Sequence, residues 1–271
     1  PDKEIIGIVK ANAYGHSDAI CAEEMYRLGI RRFAVSNIHE ADRLRKIIGD
    51  MNCFLLVFGY IREENFEQIA GLNVTVNLGS VEFAQRLNGF AKDKGIKIKG
   101  HIAFDTGMSR VGIRSGEEAE SIMLLSNIEV TGMYTHFAVS DELDEDSRKF
   151  TLQQYDKLAE LSKNHNLPLH CQNSGAVCYH SQMKSDYIRP GIMPYGLSPN
   201  PKAGSNVKLK QIMTLKSVID QLKTIPKGTD VSYGRTYTAD SEQIIALVPV
   251  GYGDGYSRAL SNKAVVAVNG G

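Results

Sequence analysis

The 271-residue sequence has no run of like charge, no long apolar stretch and no closely spaced cysteine pair, and each absence removes a class of function. Its 31 basic and 31 acidic residues cancel to a formal net charge of zero. The electrostatic footprint of a nucleic-acid binder is therefore missing, which leaves small molecules or other protein as partners. No apolar run approaches the roughly 20 residues that cross a bilayer, and the polar opening Pro1-Asp2-Lys3-Glu4 is unlike a signal peptide. The chain reads as soluble and cytoplasmic, with no membrane segment. Cys21, Cys53, Cys171 and Cys178 stand alone and form no Cys-x-x-Cys motif, the usage of packed, reduced thiols. The seven histidines lack metal-ligand spacing, so no metal is expected.

What is present is alternation. Short β-rich runs occupy Ile5 to Val9, Phe33 to Ser36, Phe54 to Phe58, Val74 to Asn77, Ile98 to Phe104, Val130 to His136, Leu167 to Cys171 and Tyr187 to Arg189. Between them lie stretches of helical spacing: Ser17 to Leu28, Glu40 to Ile48, Ser80 to Lys92, Ser115 to Leu125 and Ser147 to Lys163. Ser17, Ser80 and Ser115 are suitable N-caps, because a serine oxygen satisfies the orphan amides of a first turn. Alternating β and α units call for a parallel sheet, and eight of them call for a closed (β/α)8 barrel of the TIM type. A doubly wound sheet is the competing architecture. After Tyr195-Gly196 the turn formers from Ser198 to Asn206 read as a linker. Alternating runs follow without long helices, at Met213 to Asp220, Ile244 to Pro249 and Ala264 to Val268. The expected organisation is a barrel over residues 1–200 and the start of a mostly β domain over 207–271, unfinished at Asn269-Gly270-Gly271.

In a barrel, active-site residues sit just past the carboxyl ends of the strands. Lys10 follows the first run, Asp105 and Arg110 the fifth, His136 ends the sixth, Asn173 and Ser174 follow the seventh, and Arg189 with Gly191 ends the eighth. Taken singly, Lys10 after an apolar run is most often a solvated strand end, and Arg189 before Pro190 reads as well as a surface loop charge; only their shared position makes the set informative. So cationic a rim suits a bound anion with a reactive carbonyl. A lysine whose pKa is lowered by burial and nearby cations is the usual Schiff-base former. Pyridoxal phosphate offers both an aldehyde and a phosphate, and Ser174, Gly191 and the Ile192 amide lie where barrels commonly hold a phosphate.

The stretch Val9-Lys10-Ala11-Asn12-Ala13-Tyr14-Gly15-His16 resembles the signature of the alanine racemases, fold-type III pyridoxal-phosphate enzymes. Similar motifs follow in the family's order: Asp105-Thr106-Gly107-Met108-Ser109-Arg110-Val111-Gly112, Tyr134-Thr135-His136-Phe137-Ala138, Asn173-Ser174, Arg189-Pro190-Gly191-Ile192, Val231-Ser232-Tyr233-Gly234 and Gly251-Tyr252-Gly253-Asp254-Gly255-Tyr256. The resemblance implies interconversion of L- and D-alanine by two bases on a pyridoxal 5'-phosphate aldimine, supplying D-alanine for peptidoglycan. Lys10 would carry the cofactor and abstract the Cα proton of the D-enantiomer. Tyr233, reaching in from the partner of a head-to-tail homodimer, would serve the L-face. Racemisation needs a proton removed from one face and returned to the other, which is why two bases are required. Tyr14 and Ser174, with the Gly191 and Ile192 amides, would bind the phosphate, and Asn173 would join the cofactor-binding set. Arg189 would face the pyridine nitrogen and keep it unprotonated. His136 and His170 would form a hydrogen-bonded layer orienting Tyr233 and Arg189. Arg110 would contact the cofactor oxygen and substrate carboxylate, and Asp141 and Tyr252 would line the entry corridor.

The sequence departs from the family at Ala103, where many members carry a carbamylated lysine that fixes the arginine matching Arg110. We expect an anion such as chloride in its place. The family also has a helical segment before the first strand and a longer C-terminal portion, with a Cys-Met-Asp motif and a phosphate-binding tyrosine. The chain is thus expected to be a fragment. Two alternatives stay open: a serine racemase domain of a glycopeptide-resistance protein, and a non-catalytic pyridoxal-phosphate-binding homeostasis protein, which shares the first domain only. Basic amino-acid decarboxylases of this fold type protonate the cofactor nitrogen with a carboxylate, where Arg189 stands here. Gly251 to Gly255 lacks the βα unit of a dinucleotide site and reads as a turn.

Overall fold

A computed structural model describes residues 3–203 and 207–268. Pro1, Asp2, the Gly204-Ser205-Asn206 portion of the expected linker and the terminal Asn269-Gly270-Gly271 lie outside the described residues. The chain forms two compact units, Pro1–Met213 and Thr214–Gly271.

In the first unit the eight apolar runs become parallel strands: β1 (Glu4–Ile8), β2 (Arg32–Val35), β3 (Phe54–Val57), β4 (Thr75–Leu78), β5 (Ile98–Ala103), β6 (Ile128–Tyr134), β7 (Leu169–His170) and β8 (Tyr187–Ile188). They lie in the order β7-β6-β5-β4-β3-β2-β1-β8. A bridge between Gln172 and Ile188, with the Arg189 amide donating to the Gln172 carbonyl at 2.8 Å, spans the remaining seam. This sequential order is that of a (β/α)8 barrel, not of the doubly wound alternative, whose strand order reverses at a switch point. Strand alternation sorts the side chains. Ile6, Ile8, Ala34 and Leu56 fill the barrel interior, while Phe33, Val35, Leu55 and Val57 pack outward with the helices.

The connections are α1 (Lys10–Tyr14), α2 (Asp18–Arg27), α3 (Ile38–Ile48), α4 (Phe66–Gly71), α5 (Val81–Asp93), α6 (Gly116–Met123), α7 (Glu145–Ser162) and α8 (Ser174–Tyr179). Ser17, Ser80 and Ser115 cap α2, α5 and α6, the last through a reciprocal capping box with Glu118. The short α1 is a left-handed turn: Ala11, Asn12, Ala13 and Tyr14 have φ of 52, 53, 53 and 54°. None of the four is glycine, although Gly15 at φ 87° closes the turn, and each non-glycine residue costs roughly 1–2 kcal/mol against the right-handed form. Beneath the barrel's other end, the buried Arg45 donates to the carbonyls of Leu72, Asp50, Cys53 and Asn73, stitching α3 to two loops.

The second unit is mostly β. Strand β9 (Gln221–Ile225) pairs antiparallel with β12 (Gln243–Leu247), and β10 (Asp230–Val231) with β11 (Tyr237–Thr238). Two expected strands are corrected here: Met213–Asp220 and Ala264–Val268 enter no ladder. Alternation makes a segment compatible with a strand, but only a neighbouring strand supplies the hydrogen bonds. The first segment makes one such bond, from the Asp220 amide to the Leu247 carbonyl of β12 at 2.9 Å, too few for a ladder, and the side chains of both segments are exposed. No helix among the described residues is long and apolar enough to cross a membrane.

Candidate active site

Ten of the rim positions line one cavity of about 490 Å³: Lys10, Tyr14, Arg110, His136, Asp141, Asn173, Ser174, Arg189, Gly191 and Ile192. Tyr233 and Tyr252 belong to the second unit, where they are 86% and 68% exposed. Tyr233 sits in a tight turn flanked by Ser232 at φ 60° and Gly234 at φ 77°, which holds its ring outward.

Lys10 begins the left-handed turn and Tyr14 ends it. The turn folds the chain back, so that both side chains reach the same cavity from four residues' separation. Burial and the Arg110 guanidinium lower the Lys10 pKa, and Glu40 opposes them. Burial raises the Tyr14 hydroxyl pKa. The Tyr14 ring packs on Tyr195, whose own hydroxyl donates to the Ile8 carbonyl at 2.6 Å and so anchors the turn to β1.

Opposite, the loop after β8 wraps around Ser174. The amides of Gly191, Ile192 and Met193 donate to its Oγ at 2.8, 3.1 and 3.4 Å. Gly191 keeps this approach open, since a Cβ there would lie 2.8 Å from the Tyr14 hydroxyl oxygen and the tyrosine would have to shift. A hydroxyl and converging amides around a gap of this kind form a cradle for a tetrahedral anion. Asn173 acts on the scaffold: its Oδ1 accepts from the Ala176 amide at 3.0 Å and the Ser140 hydroxyl at 2.6 Å, capping α8 and orienting Ser174.

Arg189 is buried against the barrel interior. It donates to the His170 and Thr135 carbonyls and to the His170 Nδ1 at 2.5 Å. A guanidinium cannot accept, so His170 Nδ1 is the acceptor and its Nε2–H donates to His101 Nδ1 at 2.8 Å. Both rings must then be neutral. Burial and the Arg189 charge push His101 down to about 3 and His170 well below its ordinary value. Arg189 itself, lowered by burial to about 10, stays charged near neutrality. The expected layer thus differs in membership: His136 takes no part in this chain of bonds, and His101 does. Strand β6 ends at Tyr134, which leaves His136 in the following loop at the cavity wall, where burial lowers it to about 3.

His101 lies deep in the barrel, away from the strand ends where sequence pattern places a site. The signal was available: it lies two residues before Ala103, on the same face of β5. Gly132 makes room for the ring, since a Cβ there would meet it at 2.7 Å. Asp105 serves the loop, not the cavity, accepting from the Gly107 and Ser109 amides and pairing with Arg114 at 2.8 Å. Arg110 has no carboxylate partner among the described residues, and Ala103, the departure from the family pattern, lines the same cavity.

The alanine racemase N-terminal domain matches residues 1–199, and the alanine racemase C-terminal domain matches residues 212–271. The chain belongs to the alanine racemase family. Within it, the alanine racemase of Clostridium perfringens (strain SM101 / Type A) is 39% identical over 280 residues, covering 99% of this chain and 71% of the relative. The solved structure of alanine racemase from Streptomyces coelicolor A3(2) superimposes with a TM-score of 0.91 at 27% identity, over 100% of this chain and 74% of that one. The alanine racemase from Bartonella henselae, solved with covalently bound pyridoxal phosphate, shares the fold with a TM-score of 0.84 at 24% identity, over 95% and 71%. Because the second-domain match covers the Tyr233 and Tyr252 motifs, the barrel-only homeostasis protein is not favoured.

Proposed function

We propose that the protein is an alanine racemase that works with pyridoxal 5'-phosphate. The observation that carries the reading is a single cavity holding a lysine of lowered pKa at one end and the Ser174 amide cradle at the other. The residues fit the cofactor: a phosphate fits among Tyr14, Ser174 and the Gly191 and Ile192 amides, in the space that the missing Gly191 Cβ leaves. When bound, the cofactor supplies an aldehyde that joins covalently to an amine and a ring that acidifies the adjacent Cα–H.

The chain's own residues supply the rest. Lys10, whose amine burial and the Arg110 charge make easier to deprotonate, takes or returns a proton at Cα on one face. Tyr233, exposed on its turn, acts on the other face in the site of a partner chain, so that the working unit is a head-to-tail homodimer. Arg189, held on three acceptors, presents a fixed positive charge that disfavours protonation of the ring nitrogen. Arg110 attracts the substrate carboxylate, with an anion such as chloride in the space beside Ala103. His136 borders the cofactor, and Asp141 and Tyr252 border the path of entry.

Four buried cysteines joined in no disulfide fit a cytoplasmic enzyme, and D-alanine for peptidoglycan is its product. The test is racemisation of L-alanine and L-serine with and without added pyridoxal phosphate. Cofactor-dependent turnover of alanine, abolished in Lys10→Ala, is expected; equal or faster turnover of serine would overturn the substrate.

A further inference from the structure

Four successive left-handed residues without glycine need an external hold, and most of what holds α1 acts at its far end. There the Asn12 Oδ1 accepts the Asp18 amide at 3.0 Å and Tyr14 leans on Tyr195. On the Lys10 side, the side chain that grips the backbone comes from another element. Glu40, in the first turn of α3, accepts the Ala11 amide on Oε1 at 3.0 Å and the Ser36 amide on Oε2 at 2.7 Å. Ser36 directly follows β2 and lines the cavity. One carboxylate therefore clamps the strained turn to the neighbouring strand of the barrel. Its charge also lies close enough to Lys10 to act against the lowering of that amine by burial and Arg110. Capping of its own helix does not account for this: the N-cap of α3 is Asn37, whose side chain accepts the Glu40 amide at 3.0 Å.

We propose that Glu40 is a positioning residue: by bonding the Ala11 and Ser36 amides together it sets the Lys10 amine and the Tyr14 hydroxyl at the spacing that lets both meet one phosphorylated aldehyde. The inference rests on the cofactor reading above. Charge-assisted bonds to two backbone amides are strong enough for the role. A glutamine keeps one acceptor and loses the other, and an alanine loses both.

The test uses cofactor-free protein and two aldehydes, pyridoxal 5'-phosphate and pyridoxal, with borohydride trapping and peptide mass mapping of the labelled lysine. Wild type should label Lys10 and prefer the phosphorylated aldehyde. In Glu40→Ala the rate with the phosphorylated aldehyde should fall at least about tenfold, since tenfold is the scale of a single charge-assisted bond and alanine loses two, with pyridoxal nearly unaffected. Glu40→Gln should fall between. Backbone amide exchange should quicken at Ala11 in both variants. Equal slowing of both aldehydes, or no slowing, would reduce Glu40 to a brace for α3 and overturn the inference while leaving the cofactor reading intact. Wild type that labels other lysines and spares Lys10 would overturn both. Should Glu40→Ala fail to fold, Glu40→Gln carries the same comparison.

Discussion

Arg189 and His170 form the buried axis of the site, with the guanidinium donating to both the ring Nδ1 and the backbone carbonyl of one residue. The third acceptor, the Thr135 carbonyl, is on the loop that carries His136. Arg189→Lys keeps the charge and loses the planar fork, so acceptors are left unpaired in the barrel. The expected cost is about 2–4 kcal/mol of stability, read as a lower urea midpoint. Racemisation should fall about a hundredfold even where the variant is fully folded.

Gly191→Ala places a methyl 2.8 Å from the Tyr14 hydroxyl oxygen, in the space assigned to the phosphate. The cofactor-free protein should melt close to wild type, because a side chain can yield there. Affinity for pyridoxal phosphate should fall at least about tenfold by titration, in keeping with a lost charge-assisted contact.

Stability should fall on mild acidification. His101 and His136 are held near 3 in the folded state against an ordinary value of 6.5, and His170 is lowered as well. Between those limits the unfolded chain binds protons that the native state refuses, so unfolding becomes easier as the pH drops. Well above 6.5 the rings are neutral in both states and contribute no slope. Urea midpoints from pH 7.5 to about 5 isolate the effect, since the carboxylates titrate lower. A flat profile would contradict neutral, buried imidazoles.

Shared sites predict complementation. If the proposed head-to-tail dimer shares its sites, Lys10→Ala and Tyr233→Phe should each be inactive alone. After subunit exchange, about half of the dimers are mixed and each has one intact site of two, so activity should recover to about a quarter of wild type. No recovery after proven exchange would mean that Tyr233 serves its own chain.

The sequence made the barrel readable because eight parallel strands are buried on both faces and show as continuous apolar runs. Ends slipped where pairing, not pattern, decides: β6 begins at Ile128 and stops at Tyr134, which moves His136 into a loop. Met213–Asp220 has the apolar rhythm of a strand but meets β12 only at its last residue, Asp220, so it pairs into no ladder. Motif order located Lys10, Tyr14, Ser174 and Arg189, since the ends of barrel strands converge. His101 is inside β5, where no strand-end pattern marks it, and the left-handed turn after Lys10 has no local signature because Ala11-Asn12-Ala13-Tyr14 carries no glycine before Gly15 closes it. Long-range clamps such as Glu40 to Ala11 depend on a helix and a strand meeting in space, which no local pattern encodes.

The central claim is that Lys10 and Tyr233 work on opposite faces of one substrate. It is tested most directly by α-proton exchange in deuterated water, measured separately for each enantiomer in Tyr233→Phe. The account predicts that D-alanine still exchanges at close to the wild-type rate, while exchange from L-alanine drops by about a hundredfold or more. Equal loss from both enantiomers, or retention of both, would contradict it.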